Sequence, residues 1–309
     1  MAKTVAETIR NITRKHLETD NGLLFGQCVT AVGWIGGTVP EMTEDEGIVE
    51  LSMADVSGAG IAVGAAIVGR RPIYVIRYQG FMWYNSAPLL NYAAKSKEMW
   101  NVPCPILVRS IAMEGGIGPV ASGGHHGMVM RMPGMPVCAP MTPGEWREIW
   151  DWFMSHETPL YVSEHRRSFP INYEMDNILN SEADITIIAI SSARINAYKA
   201  IDYLNQDGIV CDLIHLLWLK PFQITETMIN SITKTGLALV IDSDFEISSS
   251  SRSIAYELMH ETSLPVHSLG LADRTAGFAP HLDNGTPTIE KIHGHIKSLV
   301  KKKNTQLPN

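Results

Sequence analysis

Cysteine is scarce in this chain: Cys28, Cys104, Cys138 and Cys211 lie far apart, with no CxxC pair among them. That excludes a cysteine-built zinc site and reads as reduced thiols in a cytoplasmic compartment. No apolar run approaches the roughly 18 residues of a membrane span. The opening Met1–Arg10 reads as the start of an amphipathic helix without the apolar stretch of a signal peptide. Basic stripes are missing too. The net charge is −7 and no row of Lys and Arg interleaves with aromatics, which argues against a nucleic-acid-binding surface. The single basic run, Lys301-Lys302-Lys303, reads as a solvated, frayed end. No GxGxxG follows a strand, and neither GxxxxGK[ST] nor GxSxG occurs. Dinucleotide-binding, P-loop and α/β-hydrolase chemistry therefore lack their usual signals.

What is present is a small-residue segment, Gly58-Ala-Gly-Ile-Ala-Val-Gly-Ala-Ala-Ile-Val-Gly69, running into the apolar strand pattern Pro72–Arg77. A lone carboxylate, Asp55, precedes it. A helix of Gly and Ala lets another backbone or a flat cofactor come very close, and it serves equally as a core helix against a sheet. A length of 309 residues suits two ordinary domains. In the first part, helical patterns at 4–19, 58–69, 86–100 and 143–155 alternate with strand patterns at 23–26, 72–77, 105–109, 136–138 and 160–163. Ser86 reads as an N-cap with Pro88 in the first turn behind it, and Gly33–Gly37 as a Gly-rich loop. A polar stretch at 172–183 reads as a linker. Beyond it, strand patterns at 185–190, 210–215, 237–242 and 265–269 alternate with helices at 193–205, 248–261 and 287–299. The expected fold class is α/β: two tandem domains, 1–178 and 184–309, each a mostly parallel sheet with helices on both faces.

His125 and His126, in Gly123-Gly-His-His-Gly127, are the most conspicuous histidines. Neighbours on a strand or helix point apart, so the pair is weak as a metal motif. In a Gly-rich loop, one imidazole can stand at a cleft mouth for proton transfer, or the pair can be ordinary loop residues.

Several segments in order along the chain resemble the beta subunit of 2-oxo-acid dehydrogenases, within the transketolase superfamily. They are Gly58–Ala66, Arg71-Pro-Ile73, Asn91-Tyr-Ala-Ala-Lys95, Pro105–Arg109, Pro133-Gly-Met-Pro-Val137 and Gly277-Phe-Ala-Pro-His-Leu282. Asp184–Ile188, Leu219-Lys-Pro-Phe222 and Lys234–Asp242 resemble that family's C-terminal domain. The resemblance implies that the first domain holds the pyrimidine end of thiamine diphosphate. A partner's domain then holds the diphosphate and Mg2+ through a GDG…N motif. This chain has no GDG triplet, so the resemblance implies an alpha-type subunit and an α2β2 assembly, with no metal ligands on this chain.

Carried over residue by residue, Asp55 matches the family's glutamate, which bonds the aminopyrimidine ring and so favours the form that removes the thiazolium proton. Its side chain is one methylene shorter, about 1.5 Å of reach. Asp55 also reads as a helix N-cap. Phe81 matches the aromatic that stacks on the pyrimidine, and Tyr84 and Gln79 line the same turn. Gln27 stands where relatives carry acids. The family's catalytic histidine lies about a turn further ahead of the Pro-Gly matched by Pro133-Gly134, so His125 and His126 are its candidates here. Glu114 is a candidate contributor to the cleft or a solvated side chain. The implied function is a thiamine diphosphate-dependent beta-type subunit that decarboxylates a 2-oxo acid with acyl or aldehyde transfer. The alternative is half of a split transketolase moving two-carbon ketol units between sugar phosphates, and a non-catalytic scaffold is a third reading.

Overall fold

The structure, a computed structural model, describes residues 2–19 and 22–306. Two sheets organise it. The first runs β2-β1-β3-β4-β6-β5-β9, built from β1 (Gly22–Gln27), β2 (Ile48–Leu51), β3 (Arg71–Ile76), β4 (Leu107–Ala112), β5 (Val137–Cys138), β6 (Leu160–His165) and β9 (Trp218–Lys220). All its pairings are parallel except β5 with β9. The second runs β11-β10-β7-β8, all parallel, from β7 (Ile185–Ile190), β8 (Cys211–Leu216), β10 (Ala238–Phe245) and β11 (Val266–Leu271). Strands such as β4 and β7 are buried along their whole length, as expected where helices cover both faces of a parallel sheet.

The helices sort onto those faces. Against the first sheet, α1 (Val5–Leu17) and α7 (Pro143–Ser155) share one core with Leu24, Ile73 and Leu107. Both begin in a capping box, from Thr4 with Glu7 and from Thr142 with Glu145. The opposite face carries α3 (Asp55–Ile67), α4 (Met82–Pro88) and α5 (Ala94–Trp100). Its core continues without a break into the second sheet, where α9 (Glu226–Thr235) and α10 (Ser250–Thr262) pack. On the far side of that sheet, α8 (Ala193–Gln206) and α11 (Ile289–Gln306) close a third core.

Several expected elements sit differently. The helix expected at 86–100 starts at Met82, and Ser86 lies inside it, donating to the Trp83 carbonyl at 2.8 Å instead of capping. Pro88 is tolerated because the next five residues, Leu89–Ala93, form a π turn that absorbs the missing bond. Strands β2 and β9 were not anticipated, and β9 carries the first sheet past the expected 178–184 boundary. The basic run Lys301–Lys303 is not a frayed end: α11 extends to Gln306, and Lys303 Nζ donates to the carbonyls of Asp184 and Thr235. The Gly-rich loop is a turn, α2 (Ala31–Gly37), whose residues Val32–Gly36 all hold left-handed backbone with φ between 52° and 62°. For its three non-Gly members such backbone costs about 1–2 kcal/mol per residue.

Candidate active site

In open α/β sheets, ligands settle beyond the carboxyl ends of the strands, and the candidate residues collect there. Gln27 ends β1, in register with Leu51 at the end of β2. Asp55 opens α3 four residues later. Phe81 lies in a short 3-10 turn directly after β3.

Asp55 does not cap its helix. The carboxylate sits in the first turn of α3, where the helix dipole favours a negative charge, and its Oδ1 accepts from Asn85 Nδ2 at 2.8 Å. The same Asn85 amide donates to the Phe81 carbonyl at 2.9 Å, joining the two predicted cofactor residues through one side chain. Asn85 Oδ1 in turn accepts from the Tyr74 hydroxyl at 2.6 Å. Tyr74 and Asn85 are almost wholly buried, whereas Asp55 is half-buried and opens outward. Burial, and then the nearby Asp55 charge, push the Tyr74 phenol well above its ordinary pKa, so it stays a donor. Gly58 makes room for it: a Cβ there would lie 2.9 Å from the Tyr74 oxygen. Neither Asn85 nor Tyr74 was singled out from sequence, since a polar residue within a helix or strand carries no motif.

Phe81 is half-buried, with its ring 6.0 Å from that of Tyr78. Tyr84 is 62% exposed on the outer face of α4. Gln27 is buried, and its Nε2 finds no partner among the described residues. Gln79 is committed inside the protein. Its amide nitrogen donates to Ser163 Oγ (2.7 Å) and the Ser110 carbonyl (3.1 Å), and its oxygen accepts from the His125 backbone (2.7 Å). No polar atom of Gln79 is left over, so it supports the histidine loop.

The two histidines have parted company. His126, at the start of α6 (His126–Met130), is fully buried between the sheets. One ring nitrogen meets Ser163 Oγ at 2.9 Å and the other meets Asp242 Oδ2 at 2.8 Å, with Asp244 Oδ2 at 3.8 Å. Burial alone would lower its pKa, but Asp242 and Asp244 raise it to about 9, so the ring is a cation in an internal ion pair. It faces no cleft. His125 is half-buried, 5.4 Å from the Phe245 ring, and its Nε2 is buried without a partner. Burial, and then the His126 charge, pull its pKa down to about 4, so it is neutral.

Among the described residues, His126, Asp242 and Asp244 are the one group of three such side chains close enough to hold a cation. Their oxygens are already bonded to Ser250, to the His126 ring and to the backbone of Ser243, Gly127 and Phe245. Glu114 is not loose on the surface: it accepts from Arg167 at 2.9 Å and from Thr286, bridging the two halves of the chain.

The strand-end cluster suits the ring end of a flat heteroaromatic coenzyme. A carboxylate has one oxygen held and the other without a partner among the described residues, Phe81 is linked to it through the Asn85 amide, and the buried Gln27 amide nitrogen at the end of β1 has no partner among those residues. Residues 11–172 match the family described as transketolase, pyrimidine binding domain, and 176–292 match transketolase, C-terminal domain. A curated relative, the pyruvate dehydrogenase E1 component subunit beta of Rickettsia conorii, is 26% identical over 281 residues, covering 84% of this chain and 85% of its own. A structure titled split gene transketolase, inactive beta4 tetramer, superposes with a TM-score of 0.72 at 17% identity, covering 97% of this chain and 99% of that one. The Campylobacter jejuni transketolase superposes with a TM-score of 0.74 at 14% identity, covering 96% of this chain but 47% of that one. On these matches the chain belongs to the transketolase family and is composed of its pyrimidine-binding and C-terminal domains.

Proposed function

We propose that this chain is the beta-type subunit of a thiamine diphosphate-dependent enzyme that acts on a 2-oxo acid. In this reading it holds the aminopyrimidine end of the coenzyme and is active only with an alpha-type subunit that holds the diphosphate and Mg2+. The observation that carries this is Asp55, offered at the strand ends with one oxygen anchored and the other open, beside Phe81. The coenzyme, when bound, supplies a nucleophilic ring carbon and an electron sink for loss of carbon dioxide. Asp55 accepts a hydrogen bond from the pyrimidine nitrogen, Phe81 orients the ring by stacking, and Gln27 donates to a ring-side acceptor.

The outer face of the first domain supports a partner. Gly60 and Gly64 have open space where a Cβ would stand, and Val56, Ile61, Ile67, Val68, Trp83 and Tyr84 are exposed around them. An apolar area of this kind on a soluble chain marks an interaction surface. An α2β2 assembly in the cytoplasm is the arrangement this reading favours. The test is reconstitution with an alpha-type chain bearing the GDG motif, assayed for release of carbon dioxide from pyruvate or a branched 2-oxo acid. Turnover that requires thiamine diphosphate and Mg2+, and falls at least about 10²-fold in Asp55→Ala, is expected; an unchanged rate in Asp55→Ala refutes the assignment. The end-to-end match with a split transketolase chain favours a second reading, ketol transfer between sugar phosphates. Activity on a ketose phosphate and none on any 2-oxo acid would select it.

A further inference from the structure

We infer that Asn85, held by Tyr74, is a positioning residue that sets the direction in which Asp55 presents its free oxygen to the coenzyme ring. The inference rests on the functional reading above. A free aspartate in the first turn of a helix can swing about two bonds and turn back onto its own backbone N–H groups. Here Asn85 takes Oδ1 at 2.8 Å, which fixes both torsions and leaves Oδ2 as the remaining acceptor.

The Asn85 amide cannot be turned round. The Phe81 carbonyl only accepts, so the nitrogen must face it, and the oxygen must face the Tyr74 hydroxyl. The chain of donors thus runs one way, from phenol to amide to carboxylate, and ends on Asp55 Oδ1, leaving Oδ2 as the open oxygen. The same amide also bonds the Phe81 backbone carbonyl, so the carboxylate is tied to the main chain that carries the stacking ring. Gly58 belongs to the device, since any side chain there would push the phenol off Asn85.

The test uses the chain reconstituted with its alpha-type partner, with thiamine diphosphate as the probe. NMR follows hydrogen–deuterium exchange at the reactive ring carbon of bound coenzyme, and fluorescence titration gives its Kd. Tyr74→Phe keeps the packing and removes only the hydroxyl. It is expected to slow exchange about 3–10-fold, and Asn85→Ala about 10²-fold, the scale of a 1 Å misplacement. Kd should change less than about threefold in both. In an Asp55→Ala background neither substitution should slow exchange further, because both act through Asp55. Equal losses with and without Asp55, or a loss confined to Kd, would overturn the inference.

A coenzyme-free arm separates the two readings. In the chain alone, the melting-temperature losses of Asp55→Ala and Asn85→Ala should be less than additive, and Asn85→Ser should recover part of the loss. If the wild-type complex binds no thiamine diphosphate, the functional reading fails. Additive melting losses would then show separately that Asn85 does not hold Asp55.

Discussion

His126 and Asp242 meet at 2.8 Å with neither side chain exposed, and the same ring, bonded also to Ser163 on β6, links the two sheets. His126 opens the short helix α6 in the first half, and Asp242 lies on β10 of the second. Ser163 and Ser250 complete the set, so every charged atom has a partner. A buried pair of this kind adds little over an apolar replacement, but losing one partner leaves an uncompensated charge. His126→Ala is expected to lower the unfolding free energy by about 3–5 kcal/mol. The double substitution His126→Met with Asp242→Leu should recover most of it. Urea unfolding of the three proteins decides; a single-variant loss under about 1 kcal/mol would contradict the account.

The same pair sets a pH dependence. His126 titrates near 9 in the folded chain, where burial is outweighed by Asp242 and Asp244, against 6.5 when exposed. Its contribution is therefore complete below pH 6.5 and fades as pH rises through 9. On the acid side, burial keeps His125 and His165 neutral to about 4 and His215 to about 3. Each takes a proton near 6.5 once unfolded, so stability falls as pH drops below that value. Asp244, raised to about 6 by burial and then by Asp242, against the pull of His126, partly offsets that fall by protonating in the folded state. Melting temperature should peak near pH 6.5 and decline on both sides. In His126→Ala the alkaline decline should flatten.

Val68 is 79% exposed and Trp83 62%, on the apolar face proposed above for the partner. Val68→Asp and Trp83→Asp should each leave the melting temperature of the chain nearly unchanged and weaken association with the alpha-type subunit at least about tenfold. Sedimentation of the mixed chains reads the outcome. Unaltered association in both variants would remove this face from the interface.

Lys303 closes α11 onto the second sheet through two carbonyls. Lys303→Met, which keeps the stem and drops the donors, should cost about 1.5–3 kcal/mol, the range for charged hydrogen bonds. A loss as small as that of the neighbouring exposed Lys301→Met would return this end of the chain to solvent.

Much of the architecture was legible because central strands are mostly apolar between helical patterns, as in Ile185–Ile190, apolar but for Thr186. Strand β9 was not, since three residues pair only because β5 stands beside them. The helix start at Met82 was missed because Ser86 and Pro88 imitate a helix opening, and only the π turn behind them shows why Pro88 can lie inside. Asp55 and Phe81 were candidates through resemblance, and the structure brings both to the strand ends. Asn85 and Tyr74 were not, because their bonds arise only where three elements converge on a single amide. His126 looked like cleft chemistry because the sequence does not reveal that two aspartates over a hundred residues away enclose it.

The antiparallel strand Trp218–Lys220 has a consequence for how such chains recombine. The last rung of the N-terminal ladder is written in the C-terminal half of the coding sequence. A hybrid joined near residue 180 would inherit a ladder whose final rung was shaped by another lineage, beside a facing strand it never evolved with. A join after Lys220 would keep that ladder whole but part β7 from its neighbour β10 in the second sheet, so neither crossover leaves both ladders intact.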